Sequence, residues 1–259
     1  MAEITKIQWC HHTFNPWIGC AKVSEGCAQC YAEALATRFG WTEWGKGKPR
    51  NKTSPAAWKQ PHRWNRSCAH RGVRESVFPS MCDPFDEEVS EEWRQNLFQL
   101  IGQTPDLNWL LLTKRPQKAA QVMTWDPPLP NVSIGFSAEN QRRFDERWPF
   151  VKHIPASVRF CSYEPALGEL LLPEDCSGRL HWLICGGESG PKAREFPHLE
   201  SVRNVKRQCS ELNVAFFMKQ LGTRWAKNNG GKDYKGGDPN EWPEDLRIRE
   251  LPSPLITKQ

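Results

Sequence analysis

Residues 109–136 read WLLLTKRPQKAAQVMTWDPPLPNVSIGF. Residues 109–112 and 132–136 are short apolar runs, each followed by polar or glycine-bearing residues, and such runs read as strands buried on both faces. Residues 116–123, between them, space their apolar positions as a helix does. Strand, loop, helix, strand is a unit with parallel strands. The same alternation extends in both directions. Further strands are expected at 13–17, 76–81, 158–162, 182–185 and 215–218, and further helices at 28–39, 91–101, 140–150 and 199–212. About seven such units make an α/β fold and suit a full or partial (β/α) barrel better than an open doubly wound sheet, with a flat sheet as the alternative. Residues 1–225 would form the barrel, with a basic, tryptophan-rich insertion near 40–74. Residues 226–259 would be a C-terminal extension or lid, with 228–238 as its loop.

With 38% hydrophobic and 25% charged residues in 259, the chain is a folded globular protein; disorder and collagen-like structure are excluded. No apolar run approaches the roughly 18 residues of a membrane span. The opening MAEITKIQWC has no cationic stretch leading into an apolar one, so no secretory signal is read and a cytoplasmic location is expected. In a reducing compartment, a tight group among the ten cysteines points to metal or redox chemistry ahead of disulfides. The net charge of +5 is concentrated in residues 38–74, where ten Lys and Arg face only Glu43. Trp41, Trp44, Trp58 and Trp64 lie among those cations, a composition suited to stacking bases and holding phosphates, so a nucleotide or nucleic acid is the expected partner. A solvated loop over buried indoles is the plain alternative.

Polar residues gather just after the expected strands, where parallel α/β proteins build their sites. They are Cys20, Cys27 and Cys30, then Ser80 to Asp83, Thr113 to Arg115, Ser137 to Asn140, Ser162 to Glu164, and Gly186 to Gly190. Taken singly, Ser, Asp and Asn there are ordinary helix caps. Three cysteines with gaps of six and two residues, on the loop GCAKVSEGCAQCY, can ligate three irons of a [4Fe–4S] cluster and leave the fourth iron open. The alternatives are zinc with His11 or His12 as fourth ligand, or inert buried thiols. The other seven cysteines have no pair spacing, and most read as small core residues. A phosphate-binding P-loop, an HExxH zinc helix and a complete nucleophile elbow are all absent.

The stretches WCHHTFNPWIGCAKVSEGCAQCYAE, LLLTKRP, FCSYEPALG, ICGGESGPKAR and FFMKQLG resemble the phage and prophage three-cysteine-motif proteins, a family of unknown function related to radical SAM enzymes. Radical SAM proteins usually separate the first two cysteines by three residues; here the gap is six. The aromatic residue that often precedes the third cysteine is replaced by Gln29, with Tyr31 following. The resemblance implies a barrel like the radical SAM core, a [4Fe–4S] cluster on Cys20, Cys27 and Cys30, and S-adenosyl-L-methionine cleaved reductively to a 5′-deoxyadenosyl radical. It also implies an electron-donor protein, and a neighbouring partner protein could complete the site. Residue types at the strand ends suit that cofactor: Asp83 and Glu164 for an ammonium, Lys114 or Arg115 for a carboxylate or phosphate, Ser137 and Asn140 for ribose hydroxyls. Gly186, Gly187 and Glu188 resemble the superfamily's glycine-glycine-glutamate signature, placed after a late strand. The competing readings are a zinc-stabilised nucleic-acid-binding protein without catalysis and a structural protein with a vestigial cluster.

Overall fold

The computed structural model describes residues 5–255; residues 1–4 of the expected barrel domain and 256–259 of the expected C-terminal extension lie outside the described residues. The strands are β1 (His12–Thr13), β2 (Trp17–Ile18), β3 (Asn51–Lys52), β4 (Glu75–Phe78), β5 (Leu107–Thr113), β6 (Val132–Ser137), β7 (Val158–Tyr163), β8 (Trp182–Gly186) and β9 (Ala215–Gln220). The helices are α1 (Tyr31–Phe39), α2 (Pro55–Trp58), α3 (Gln60–Arg71), α4 (Glu91–Gly102), α5 (Pro116–Val122), α6 (Gln141–Val151), α7 (Leu199–Glu211) and α8 (Thr223–Asn228). Seven strands form one parallel sheet in the order β1-β4-β5-β6-β7-β8-β9, and β2 pairs with β3 as a separate antiparallel ribbon.

The sheet is buried on both faces, and β5 shows how. Leu107, Trp109 and Leu111 face the helices, in one cluster with Leu97 and Ile101 of α4. Leu110 and Leu112 project to the other face and join Trp9, Phe78, Phe160, Trp182 and Phe217. This inner cluster shows that the sheet curls. The Trp9 indole lies 4.5 Å from the Phe78 ring on β4 and 6.1 Å from Trp182 on β8. Those strands are four places apart in the sheet, and a flat sheet would separate them by roughly 19 Å. The flat-sheet alternative is therefore replaced by a half-barrel whose edges, β1 and β9, do not pair.

The C-terminal stretch covers one of those edges. Arg249 bridges Phe217 in antiparallel fashion, Met218 N–H donates to Ile248 O at 2.8 Å, and Glu250 N–H donates to Phe216 O at 3.0 Å. Beyond this, Leu255 joins the inner cluster and, with Trp9, Cys10 and Ser76, lines a cavity near the start of β4. Residues 235 and 236 are pinned by the amides of Gly222 and Leu221.

The insertion is more ordered than a loop. Its helix α3 ends where Gly72 takes the left-handed conformation (φ 66°). Trp64 is buried, stacked 4.3 Å from the His12 ring at 4°, so this indole is core and is not available to bases. Among the described residues no helix is long and apolar enough to cross a membrane.

Because Trp9 bridges rings from distant strands, Trp9→Ala should lower stability by about 3–5 kcal/mol, whereas Trp41→Ala, at an exposed position, should change it by under about 0.5 kcal/mol. Urea unfolding followed by far-UV circular dichroism measures both. Equal midpoints for the two variants would mean that the barrel interior is not packed on Trp9.

Candidate functional site

The mouth at the C-terminal ends of the strands is built around the thiol loop. Ser24 precedes a single 3-10 turn, Glu25–Cys27, and Cys30 occupies the N-cap position of α1. All three cysteines are free and half-buried.

A buried carboxylate fixes this loop. Glu139, just beyond β6, is fully buried and is paired with Arg147 of α6 at 2.8 Å and with Lys114 at 3.6 Å. It accepts a hydrogen bond from the Ser24 hydroxyl at 2.6 Å. It lies against Gly26 so closely that a Cβ there would overlap its carboxyl group. Burial alone would raise the Glu139 pKa, but Lys114, Arg147 and the Ser24 hydroxyl outweigh it and hold the group below its ordinary value. Glu25, the next residue of the loop, accepts from Arg143 at 2.6 Å and from Asn140 at 2.7 Å, and the Arg143 hydrogen bond holds it down at about 2.

Cys20 sits in a second charged group. Arg115 Nη1 is 3.6 Å from its sulfur and 2.9 Å from Asp83 Oδ2, and Nη2 donates to Ala21 O at 2.9 Å. Burial pushes the Cys20 thiol up to about 12, and Asp83 and Asp86 act in the same direction against Arg115. Burial also raises the Cys30 thiol, opposed by the amides of Glu33 and Ala32. Cys82, in the strand-end group Ser80 to Asp83 but not expected as a ligand, lies in the electrostatic reach of Cys20, with burial holding its thiol well above the ordinary value.

The other expected positions divide clearly. Asp83 accepts from Thr113 at 2.7 Å, Lys114 N–H at 3.1 Å, Phe85 N–H at 2.9 Å and Arg115, so it brackets the ends of β4 and β5. Asn140 is the N-cap of α6, accepting from Arg143 N–H at 3.1 Å while its amide reaches Glu25. Glu188 is held by Arg194 at 2.6 Å, and Arg194 also feels the charges of Glu139 and Glu25. Ser137 is buried and its hydroxyl has no protein partner among the described residues. Glu164 lies on the inner wall, paired with Lys219 at 2.6 Å and near Ser162 at 3.3 Å. Gly186 leaves room for that carboxylate, and Gly187 allows the backbone of Leu221 to pass against it.

Sequence reasoning did not assign Glu139, Arg143, Arg147 or Lys219. Lys219 carried a usable signal: it is the one charge in AFFMKQ, at a position that alternation places on the inner face. The arginines gave none, because exposed helical faces are full of them.

The zinc alternative loses its fourth ligand. His11 Nδ1 is 2.8 Å from Ser76 Oγ, and His12 Nε2 is 2.8 Å from Glu75 Oε2, at the start of β4 and the opposite end from the mouth. Among the described residues no three His, Cys, Asp or Glu side chains are grouped to hold a single metal ion.

Fold and mouth together define a parallel α/β half-barrel with a thiol loop anchored at the C-terminal ends of its strands. The chain belongs to the family described as "Protein of unknown function (DUF5131)", whose model matches residues 4–243. No curated protein and no solved structure shows significant similarity to it.

Glu139→Gln keeps the shape and the Ser24 contact but leaves two cations unpaired, and should cost about 3–5 kcal/mol. Since the Glu139 pKa is lowered on folding, its stabilisation is complete above the ordinary value of 4.5 and is lost as pH falls through the folded value. The variant should therefore show a flatter acid limb in denaturant midpoints measured across pH. An unchanged limb would mean that Glu139 does not titrate with unfolding.

Proposed function

We propose that this chain is a radical SAM-type iron–sulfur enzyme, with Cys20, Cys27 and Cys30 holding a [4Fe–4S] cluster at the half-barrel mouth and S-adenosyl-L-methionine bound beside it. The observation that carries this reading is the set of three free thiols on one loop at the C-terminal mouth, clamped through Ser24 to a buried carboxylate. This donor set fits the cluster chemically. Soft thiolates are its ligands, and one cluster spreads them over separate irons, whereas a single tetrahedral zinc needs sulfurs gathered within roughly 4 Å of one another. When bound, the cluster would supply the electron that cleaves S-adenosyl-L-methionine to a 5′-deoxyadenosyl radical.

The chain's own residues would contain and aim that chemistry. The Glu164–Lys219 pair offers both charges to an amino-acid zwitterion, Lys114 adds a second cation, and the unpartnered Ser137 hydroxyl suits a ribose oxygen. Aromatic rings of the inner face exclude water below them. The reading also draws on the family resemblance of the quoted motifs, including its phage setting and its need for an electron-donor protein. A nucleotide or nucleic acid is the proposed substrate class, with a neighbouring protein able to complete the site.

Anaerobic reconstitution tests the ligand set. The parent should take up iron and acid-labile sulfide and, when reduced with S-adenosyl-L-methionine, release 5′-deoxyadenosine. Cys20→Ala, Cys27→Ala and Cys30→Ala should each lose the iron, while Cys68→Ala and Cys176→Ala, both in the core, should keep it. Iron content equal to the parent's in all five variants would show that these thiols are not the ligands, and a colourless parent with stoichiometric zinc would favour a non-catalytic binding protein.

A further inference from the structure

We propose that the surface running from the end of α1 to a groove between α2–α3 and α4 binds single-stranded nucleic acid. The inference rests on the preceding reading only in taking nucleic acid as the substrate class. The first observation is charge. Of the ten cations in residues 38–74, Lys48, Arg50 and Arg71 are ion-paired, and the other seven have no carboxylate partner among the described residues. Glu43, the sole acid of the segment, is already held by Lys48 at 2.5 Å.

The second observation is exposed aromatic surface. Phe39 and Trp41 are 55% and 43% exposed, yet stack on one another with centroids 5.1 Å apart at 20°. Arg38 lies over the Phe39 ring at 5.5 Å. A preformed aromatic pair with a guanidinium and no covering element is what stacks unpaired bases.

The third is a groove of about 570 Å³ that no Asp or Glu lines. Lys52, Lys59 and His62 supply its cations and Asn96 and Gln99 its amides. The Lys52 ammonium is held between two indoles, 5.3 Å from Trp58 and 5.7 Å from Trp93, with no carboxylate to neutralise it. Such a site favours a phosphate over an acidic protein face, because only cations and neutral donors converge there.

Platform and groove are joined. The side-chain amide of Asn51, next to Lys52 in β3, donates to Trp41 O at 2.6 Å. The track also borders the mouth, since Gly45 N–H donates to Cys20 O at 3.1 Å and Arg50 binds Asp86 at 2.7 Å. A strand lying on Trp41 and Lys52 would thus pass beside the thiol loop. Stacking requires unpaired bases, which selects single strands over duplex.

Fluorescence anisotropy of the full chain tests this with labelled DNA and RNA oligomers of about 16 nucleotides, each as a single strand and as a duplex. It is read with and without reconstituted iron and sulfide, so a failed cluster does not obscure a bound strand. The parent should bind a single strand more tightly than the duplex, with affinity falling as salt rises; the DNA and RNA arms identify the preferred polymer. Trp41→Ala should weaken binding about tenfold. Lys52→Gln with Lys59→Gln should make the log–log salt slope shallower by about 1.4, and Lys206→Gln with Arg207→Gln on α7 should leave it unchanged. Absence of binding to either strand, duplex bound as tightly as single strand, or parent-like binding by both track variants overturns the proposal. So does a parent that binds no strand and dimerises in light scattering until Trp41→Ala disrupts it, which would assign the face to a second copy of the chain.

Discussion

A single carboxylate with no access to water organises the mouth. An ionised Glu139 stripped of solvent is tolerated only with cations and hydrogen-bond donors around it, and the partners that satisfy it come from three places: Arg147 on α6, Lys114 beyond β5, and Ser24 on the thiol loop. The loop is therefore held by an electrostatic requirement of the sheet, not by regular structure of its own. Gly26 is part of the same constraint, because only a residue without a side chain lets the loop lie against that carboxylate.

A second charge chain serves the insertion. Arg50, Asp86, Arg115 and Asp83 alternate in sign from β3 to the end of β5, with contacts of 2.7 Å, 3.8 Å and 2.9 Å, and Arg115 reaches the loop at Ala21. Asp86 and Arg115 each face two opposite charges, and Arg50 also reaches Glu88 at 3.3 Å, so the buried charges neutralise one another and tie residues 45–50 to the mouth. Of the cations in residues 38–74 that no carboxylate holds among the described residues, Arg63 and Arg66 lie on α3, and Arg38, Lys46, Lys52, Lys59 and Arg74 lie outside it.

The sheet was legible because its strands are buried on both faces. The apolar runs at 109–112, 132–136, 158–162, 182–185 and 215–218 stand out from polar loops and lie inside strands β5 to β9, and α4 to α7 fall within a residue of where apolar spacing placed them. The expected strand at 13–17 is two separate elements of two residues each, because Pro16 interrupts it and Trp17 turns to pair with β3. Helix α3 was hidden, since QPHRWNRSCAHR places only Pro61, Trp64 and Cys68 inward and its cations gave it the look of a loop. The thiol loop's position was readable from its place after the first strand, but the residues that hold it were not. An ion pair between positions more than a hundred residues apart, such as Glu25 and Arg143, leaves no periodic trace in a single sequence.

Burial sets the chemistry of two thiols of this loop, Cys20 and Cys30. Cys20 and Cys30 both ionise less readily than a free cysteine because burial removes water from the thiolate, and Asp83 and Asp86 add repulsion at Cys20. Protonated, half-buried thiols are poor nucleophiles and poor substrates for oxidation, which protects an exposed-mouth loop lacking disulfides. The countercharges are nevertheless in place: Arg115 beside Cys20, and the α1 N-terminal amides with nearby Lys114 at Cys30. A positively charged ligand would tip this balance toward the thiolates, since its charge offsets the desolvation cost that the arginine and helix end leave uncompensated.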